Sequence, residues 1–281
     1  MRIPWPWLIV GIASGACSTA GATDKPSALL LILHGVGGAG RELYTAWGMD
    51  HVASPALLIL DPTGSKNLRH QPSWNASKAC CNDTASPPDD ATMLAQLVED
   101  AVKANGIDPH MVFVAGDSNG AFMAWRLLCT HADLFAAGAI VSGGANSAGD
   151  PPCHPSRHVP ILSVHGTDDP VIQLQQPVFL SNAFSDPMLP PLGPGGSWAQ
   201  EAAFNDCTGA LRGVAFNAFD HDASSYRGTN NYGAETDVLS FDGCPADGPV
   251  EVWRMLGSPH DITWSPTWAP DLLAWFKVHH R

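Results

Sequence analysis

Positive charge is scarce in this 281-residue chain: 14 Lys and Arg stand against 27 Asp and Glu, for a formal charge of −13. A pI near 5.1 follows. Polyanions would be repelled at long range, which excludes nucleic acid, anionic membrane surfaces and polyanionic substrates as expected partners. A neutral small-molecule or oligomeric substrate fits better. Long apolar runs are lacking too. The run from Trp5 to Ala13 is too short to span a bilayer, so no stable membrane insertion is expected. No cysteine pair has zinc-finger spacing, and no glycine-rich loop ends in G-K-[ST] or opens a helix as G-x-G-x-x-G. Neither a metal nor an organic cofactor is expected.

What is present suits a buried core. Hydrophobic residues make up 45% and charged residues 15% of the chain, a globular balance at a length that fits one α/β domain, here placed at residues 23–281. Residues 1–22 read as a secretory signal: Arg2, the apolar run, then Ala20-Gly21-Ala22 as a cleavage site. Cys17 offers a lipoprotein alternative, disfavoured because Ser14 stands where Leu is usual. The expected location is extracellular or periplasmic. An oxidising compartment would pair the remaining Cys80, Cys81, Cys129, Cys153, Cys207 and Cys244 as disulfides, the adjacent Cys80 and Cys81 with different partners because vicinal bridges are strained. Sequons at Asn75 and Asn82 matter only in a eukaryotic secretory pathway.

The chain is organised around His110 to Cys129. An apolar strand breaks there at Gly116-Asp117-Ser118-Asn119-Gly120, and an apolar helix resumes. This is the context of a G-x-S-x-G nucleophile elbow, with glycines where the turn is too sharp for a Cβ and Ser118 at the helix N-terminus. By contrast, the A-x-S-x-G at 145–149 is followed at once by Pro151 and Pro152, so no helix can form.

Buried-strand candidates precede and follow the elbow: Ala28 to Leu33, Ala56 to Leu60, Ala136 to Val141 and Pro160 to His165, later Thr236 to Phe241 and Val250 to Leu256. Between the second strand and the elbow, a helix is predicted with Ser86 as N-cap, Pro87 at its first position, Asp89 and Asp90 as helix-dipole partners and Gly106 beyond its end. Residues 173–248 read as an irregular insertion over the cleft holding a helix from Ser197 to Asp206, and a last helix runs from Pro270 to His279. Alternating strands and helices predict a mostly parallel, doubly wound α/β sheet of the α/β-hydrolase kind, with helices on both faces. The loop His34-Gly35-Val36-Gly37-Gly38-Ala39-Gly40 reads as an oxyanion loop, in which the Val36 N–H donates together with that of Asn119. Asp168 and Asp169 follow a strand end on the serine's edge of the sheet, and local sequence leaves both open as the acid. His260, between the last strand and the last helix, completes the chain order Ser, Asp, His; His221 is the next choice.

The segments HGVGG, WNASKACC…DDATMLAQLVEDAV, VFVAGDSNGAFMAWRLLC, PILSVHGTDDPV and GSPHDITW resemble the secreted esterase family of polyhydroxybutyrate depolymerases and feruloyl or acetylxylan esterases of the LpqC type. The resemblance implies Asp169 as the acid beside Ser118 and His260, and disulfides Cys207 with Cys244 and Cys129 with Cys153. Ala121 departs from the family's second glycine after the serine, and Pro259 to Trp264 departs from its histidine motif. The expected activity is serine-dependent hydrolysis of feruloyl-type or short hydroxyacyl esters through an acyl-enzyme. Trp74 and Trp264, with Trp198, are expected at the cleft mouth as substrate-binding rings. With no Ser/Thr/Pro-rich linker in the chain, soluble esters are expected to be better substrates than insoluble polymers. Rival readings are a catalytically silent hydrolase fold that binds carbohydrate or protein, and an acetylxylan or other polyester hydrolase.

Overall fold

A computed structural model describes residues 25–78, 80–81, 84–145, 150–172, 196–223 and 234–281. The expected signal at 1–22, with Cys17, lies outside these residues, as do Asn82 and most of the 145–149 motif. In chain order the elements are β1 (Ala28–Leu33), α1 (Gly40–Ala46), β2 (Leu57–Leu60), a two-strand ribbon of β3 (Ser65–Lys66) and β4 (Pro72–Ser73), α2 (Asp90–Asn105), β5 (Val112–Asp117) and α3 (Asn119–Thr130). After these come β6 (Ala137–Val141), β7 (Ile161–Gly166), α4 (Gly196–Phe204), β8 (Leu211–Phe219), β9 (Thr236–Phe241), β10 (Val250–Met255) and α5 (Trp268–Val278).

Eight strands form one sheet in the order β2-β1-β5-β6-β7-β10-β9-β8. Every pair from β2 to β10 is parallel, and β9 and β8 continue the sheet antiparallel. Parallel strands covered on both faces need apolar residues throughout, which is why β1 reads ALLLIL and is buried at every position. Its alternate residues feed two cores. Leu29, Leu31 and Leu33 pack with Leu94 and Val98 of α2 and Phe122 of α3, whereas Leu30 and Ile32 pack with Tyr44 of α1 and Trp268, Leu272 and Phe276 of α5. Each such buried side chain contributes roughly 1.5–3 kcal/mol.

Three expectations are corrected. Helix α2 begins at Asp90 with Asp89 as N-cap, its carboxylate accepting from the Thr92 N–H and hydroxyl, so Ser86 is not the N-cap of this helix. Pro88 disfavours helical geometry at Pro87, which delays the start. The C-terminal end is as expected, with Gly106 at φ 68° donating to Val102. Second, the described part of 173–248 is more regular than expected: besides α4 and β9 it contributes the edge strand β8, whose poor alternation and exposed Val214 and Phe216 hid it from the pattern. Third, Cys80 and Cys81 bond to each other. Cys129–Cys153 and Cys207–Cys244 pair as the resemblance implied, which leaves each of the adjacent cysteines no other described partner. The Cys80 carbonyl accepts from Asn119 Nδ2 and the Cys81 carbonyl from Asn67 Nδ2, which fixes the pair against the sheet edge.

Candidate active site

The turn from β5 into α3 places Ser118 at the carboxyl edge of the sheet with φ 52° and ψ −116°, a backbone state that a non-glycine residue holds only when its surroundings impose it. Sterics explain both flanking glycines. A Cβ on Gly116 would overlap the Gly120 carbonyl, and one on Gly120 would overlap the Leu33 carbonyl of β1. The Ser118 N–H is held by the Val141 carbonyl at 2.9 Å.

Two loops bring a histidine and a carboxylate to the serine. After β7, Thr167 N donates to Met255 O at 2.9 Å and Asp168 N to Ser258 O at 3.1 Å; after β10, Gly257 N donates to Thr167 Oγ1 at 2.8 Å. A Cβ on Gly166 would collide with the Ser258 backbone, so the close approach of these loops depends on that glycine. The result is an unbroken line of contacts. His260 Nε2 lies 3.0 Å from Ser118 Oγ, and His260 Nδ1 lies 2.7 Å from Asp169 Oδ2. Asp168 is exposed and, among the described residues, its side chain accepts only from the Thr167 hydroxyl, at 3.2 Å.

Asp169 is 4% exposed, yet fully paired. Its Oδ1 accepts the N–H groups of Val171 and Ile172 at 2.7 and 2.8 Å, while Oδ2 faces His260 and, at 3.2 Å, His165 Nε2. Burial alone would raise this carboxyl, but the bonds from His165 and His260 and their charge hold it well below the usual carboxylate range. Burial likewise pulls the His260 imidazole down; the Asp169 bond and the charges of Asp169, Asp117 and Asp261 outweigh it and raise the ring above its ordinary value. His165 escaped the sequence reading, although its place four residues before Asp169 was a legible signal.

The loop after β1 closes on the serine. A Cβ on Gly35 would stand 3.2 Å from Ser118 Cβ. His34, 1% exposed, accepts the Gly64 N–H on Nε2 at 2.9 Å, so it donates from Nδ1 to the Gly35 carbonyl at 2.7 Å. Burial lowers the His34 pKa, consistent with this neutral tautomer. Among the described residues, neither the Val36 nor the Asn119 backbone N–H meets an intramolecular acceptor, and Asn119 stands at the positive end of α3. Both amides are thus free to donate to an oxyanion.

The aromatic expectations divide. Trp74 is fully buried, donates its indole N–H to the His34 carbonyl at 2.9 Å and lies against the His34 ring, so it packs beneath the loop and does not wall a cleft. Trp198 is tied down by donation to Ser163 Oγ at 3.0 Å. Trp264 is partly exposed and stacks on Trp268 at 4.0 Å, four residues past His260. His221, the alternative histidine, is fully buried against the rings of Phe219 and Trp253 and bonds Asp271 at 3.1 Å, so it is not the histidine bonded to Ser118. No group of three or more His, Cys, Asp or Glu among the described residues is arranged to hold a metal ion.

A buried carboxylate, an oriented imidazole and a strained serine form an arrangement competent for nucleophilic attack on a carbonyl. Similarity to known proteins points the same way. Residues 16–188 match the family described as phospholipase/carboxylesterase. The chain is 31% identical over 157 residues, 54% of its length, to NocK of Nocardia uniformis, whose name marks a candidate esterase, and it spans only 43% of that protein. It is 28% identical to feruloyl esterase C of Emericella nidulans over 72% of each chain. An acetyl xylan esterase from Aspergillus awamori shares the fold at a TM-score of 0.57, with 15% identity over 90% of this chain and 89% of that one.

Proposed function

The chain belongs to the phospholipase/carboxylesterase family, and from that premise we propose that it is a secreted serine esterase, one catalytic domain acting on feruloyl-type or short hydroxyacyl esters through an acyl-enzyme. The observation that carries this reading is the line Ser118 Oγ, His260 Nε2 at 3.0 Å, and His260 Nδ1 to Asp169 Oδ2 at 2.7 Å.

In this mechanism Ser118 Oγ attacks the ester carbonyl carbon as its proton passes to His260 Nε2. Asp169 orients the ring and stabilises the imidazolium, and the Val36 and Asn119 amides receive the oxyanion, each donor of this kind being worth about 3 kcal/mol in the transition state. Collapse expels the alkoxide, which takes the proton from His260 and leaves as the alcohol. Water then attacks the acyl-serine, giving a proton to His260 that returns to Ser118 as the free acid departs. Neutral His260 is the base, so its raised pKa places the acid limb of activity above the ordinary histidine value of 6.5.

Support for the substrate class comes from the names of the relatives and from Trp264, a partly exposed ring four residues past the histidine that suits an aryl acyl group. The three disulfides suit secretion. Measuring kcat/KM on methyl ferulate, a hydroxybutyrate dimer, acetylated xylan and an aryl acetate tests the assignment. Activity on ferulate or the hydroxybutyrate dimer, with Trp264→Ala lowering the ferulate value more than the aryl acetate value, is the expected result. Brisk cleavage of long-chain acyl esters or peptides with neither of these turned over would contradict it.

A further inference from the structure

We infer that His165 is a positioning residue for the esterase reaction: from the end of β7 it fixes the Asp169 carboxyl in the orientation that serves His260, and it acts through Asp169 alone. The inference deepens the proposed function and rests on the roles given there to Asp169 and His260.

Along β7, Ile161 enters the core under α2 and α3, whereas Leu162 and Val164 enter the core under α1 and α5. His165, next to last in the strand, continues the Ile161 side and is 4% exposed. A residue that only filled space there would be apolar, because a buried imidazole is unfavourable unless its polar atoms are bonded. Nε2 of the ring lies 2.7 Å from the Ile172 carbonyl oxygen, which can only accept, so Nε2 carries the proton. The same nitrogen stands 3.2 Å from Asp169 Oδ2. One donor therefore serves the far end of the loop and the acid itself.

These two contacts close a circuit around the carboxylate. Ile172, held to His165 by its carbonyl, donates its own N–H to Asp169 Oδ1 at 2.8 Å, beside the Val171 N–H at 2.7 Å. Oδ2 is left to the two imidazoles, with His260 Nδ1 at 2.7 Å and His165 Nε2 at 3.2 Å. A carboxylate gripped on Oδ1 alone could still pivot about that oxygen. His165 stands on the other oxygen and opposes the pivot, so Oδ2 stays directed at His260 Nδ1. A staple for the loop would need only the Ile172 carbonyl; the contact with the oxygen that meets His260 is what links this ring to the reaction. Attack places positive charge on His260, and the stabilisation that Asp169 returns depends on that alignment. Among the described residues, His165 makes no hydrogen bond to Ser118 or His260, so its influence passes through the acid.

The test is a double-mutant cycle read separately in kcat and KM on an aryl acetate, with wild type, His165→Leu, Asp169→Asn and the two combined, and with His165→Gln and His165→Asn alongside. His165→Leu should lower kcat by roughly 10- to 100-fold and change KM by less than about threefold, as the misplacement of a catalytic group does. In the Asp169→Asn background the same replacement should lower kcat by less than about threefold, because the carboxylate through which it acts is already gone. His165→Gln, whose side-chain amide can reach the place of the ring Nε2, should recover most of kcat, and the shorter His165→Asn should not. Equal losses in the two backgrounds, or a folded His165→Leu with kcat within about twofold of wild type, would overturn the inference. If His165→Leu does not fold, His165→Gln and His165→Asn carry the comparison, and equal kcat in these two defeats it. Organophosphonate labelling of the wild type keeps the two readings apart: with Ser118 labelled, an adverse result counts against His165 alone, whereas absence of labelling overturns the proposed nucleophile and this role with it.

Discussion

Asn119 grips the backbone of Trp74 from both sides: its Oδ1 accepts the Trp74 N–H at 2.7 Å, and its Nδ2 donates to the Trp74 carbonyl at 3.1 Å. The residue whose amide is proposed to receive the oxyanion therefore also anchors the loop that holds Cys80 and Cys81. Asn119→Ala would keep the backbone donor but leave two buried groups of Trp74 unpaired, at a cost of about 2–4 kcal/mol. Urea unfolding should show that loss together with a fall in kcat/KM. An unchanged midpoint would mean that the clamp does not hold the loop.

All six cysteines between residues 80 and 244 are bonded, so thiol titration of the unfolded, unreduced protein should find none of them free. The bridge closing the longer interval, Cys207–Cys244 across 37 residues, ties the end of α4 to the turn after β9. Replacing both of its cysteines by serine should cost about 2–5 kcal/mol. Peptide mapping that joined Cys80 or Cys81 to any other cysteine would contradict the pairing.

Glu201 of α4 is fully buried, with Oε1 accepting from Ser163 Oγ at 3.3 Å and no partner for Oε2 among the described residues, and burial raises its pKa from 4.5 to about 8. A carboxyl that holds its proton more tightly when folded leaves stability intact below the unfolded pKa, and takes it away as pH climbs from there toward the folded value. Stability should therefore decline between about pH 4.5 and 8 through this group and level off above. Glu201→Gln should remove that part of the decline, so the two proteins' unfolding free energies diverge with rising pH in favour of the variant. Parallel curves across the window would show that Glu201 is not protonated in the native protein.

Much of this arrangement was legible because sterics wrote it into the sequence. The glycines around Ser118 are required by the carbonyls of Gly120 and Leu33, and the apolar runs by a sheet covered on both faces. The order Ser118, Asp169, His260 could be read because each residue follows a strand on the same edge. Asp168 and Asp169 were not separable locally, since which carboxyl turns inward depends on the lacing of the β7 and β10 loops and on the N–H groups of Val171 and Ile172. The depth of Trp74 was hidden for a similar reason: a tryptophan in a loop rich in Pro and Ser gives no sign that Asn119, 45 residues on, will pull it under His34. The pairing of Cys80 with Cys81 depended on the remote partners of the other four cysteines, and β8 on an edge position that relaxes the strand pattern.

The most direct test of the account is kcat/KM on a soluble aryl acetate for Ser118→Ala, His260→Ala, Asp169→Asn and Asp168→Asn, each checked for retained fold. Losses of roughly four or more powers of ten are expected for the first two, somewhat less for Asp169→Asn, and little change for exposed Asp168→Asn. Near-native turnover by folded Ser118→Ala, or a crippled Asp168→Asn beside a mild Asp169→Asn, would contradict it.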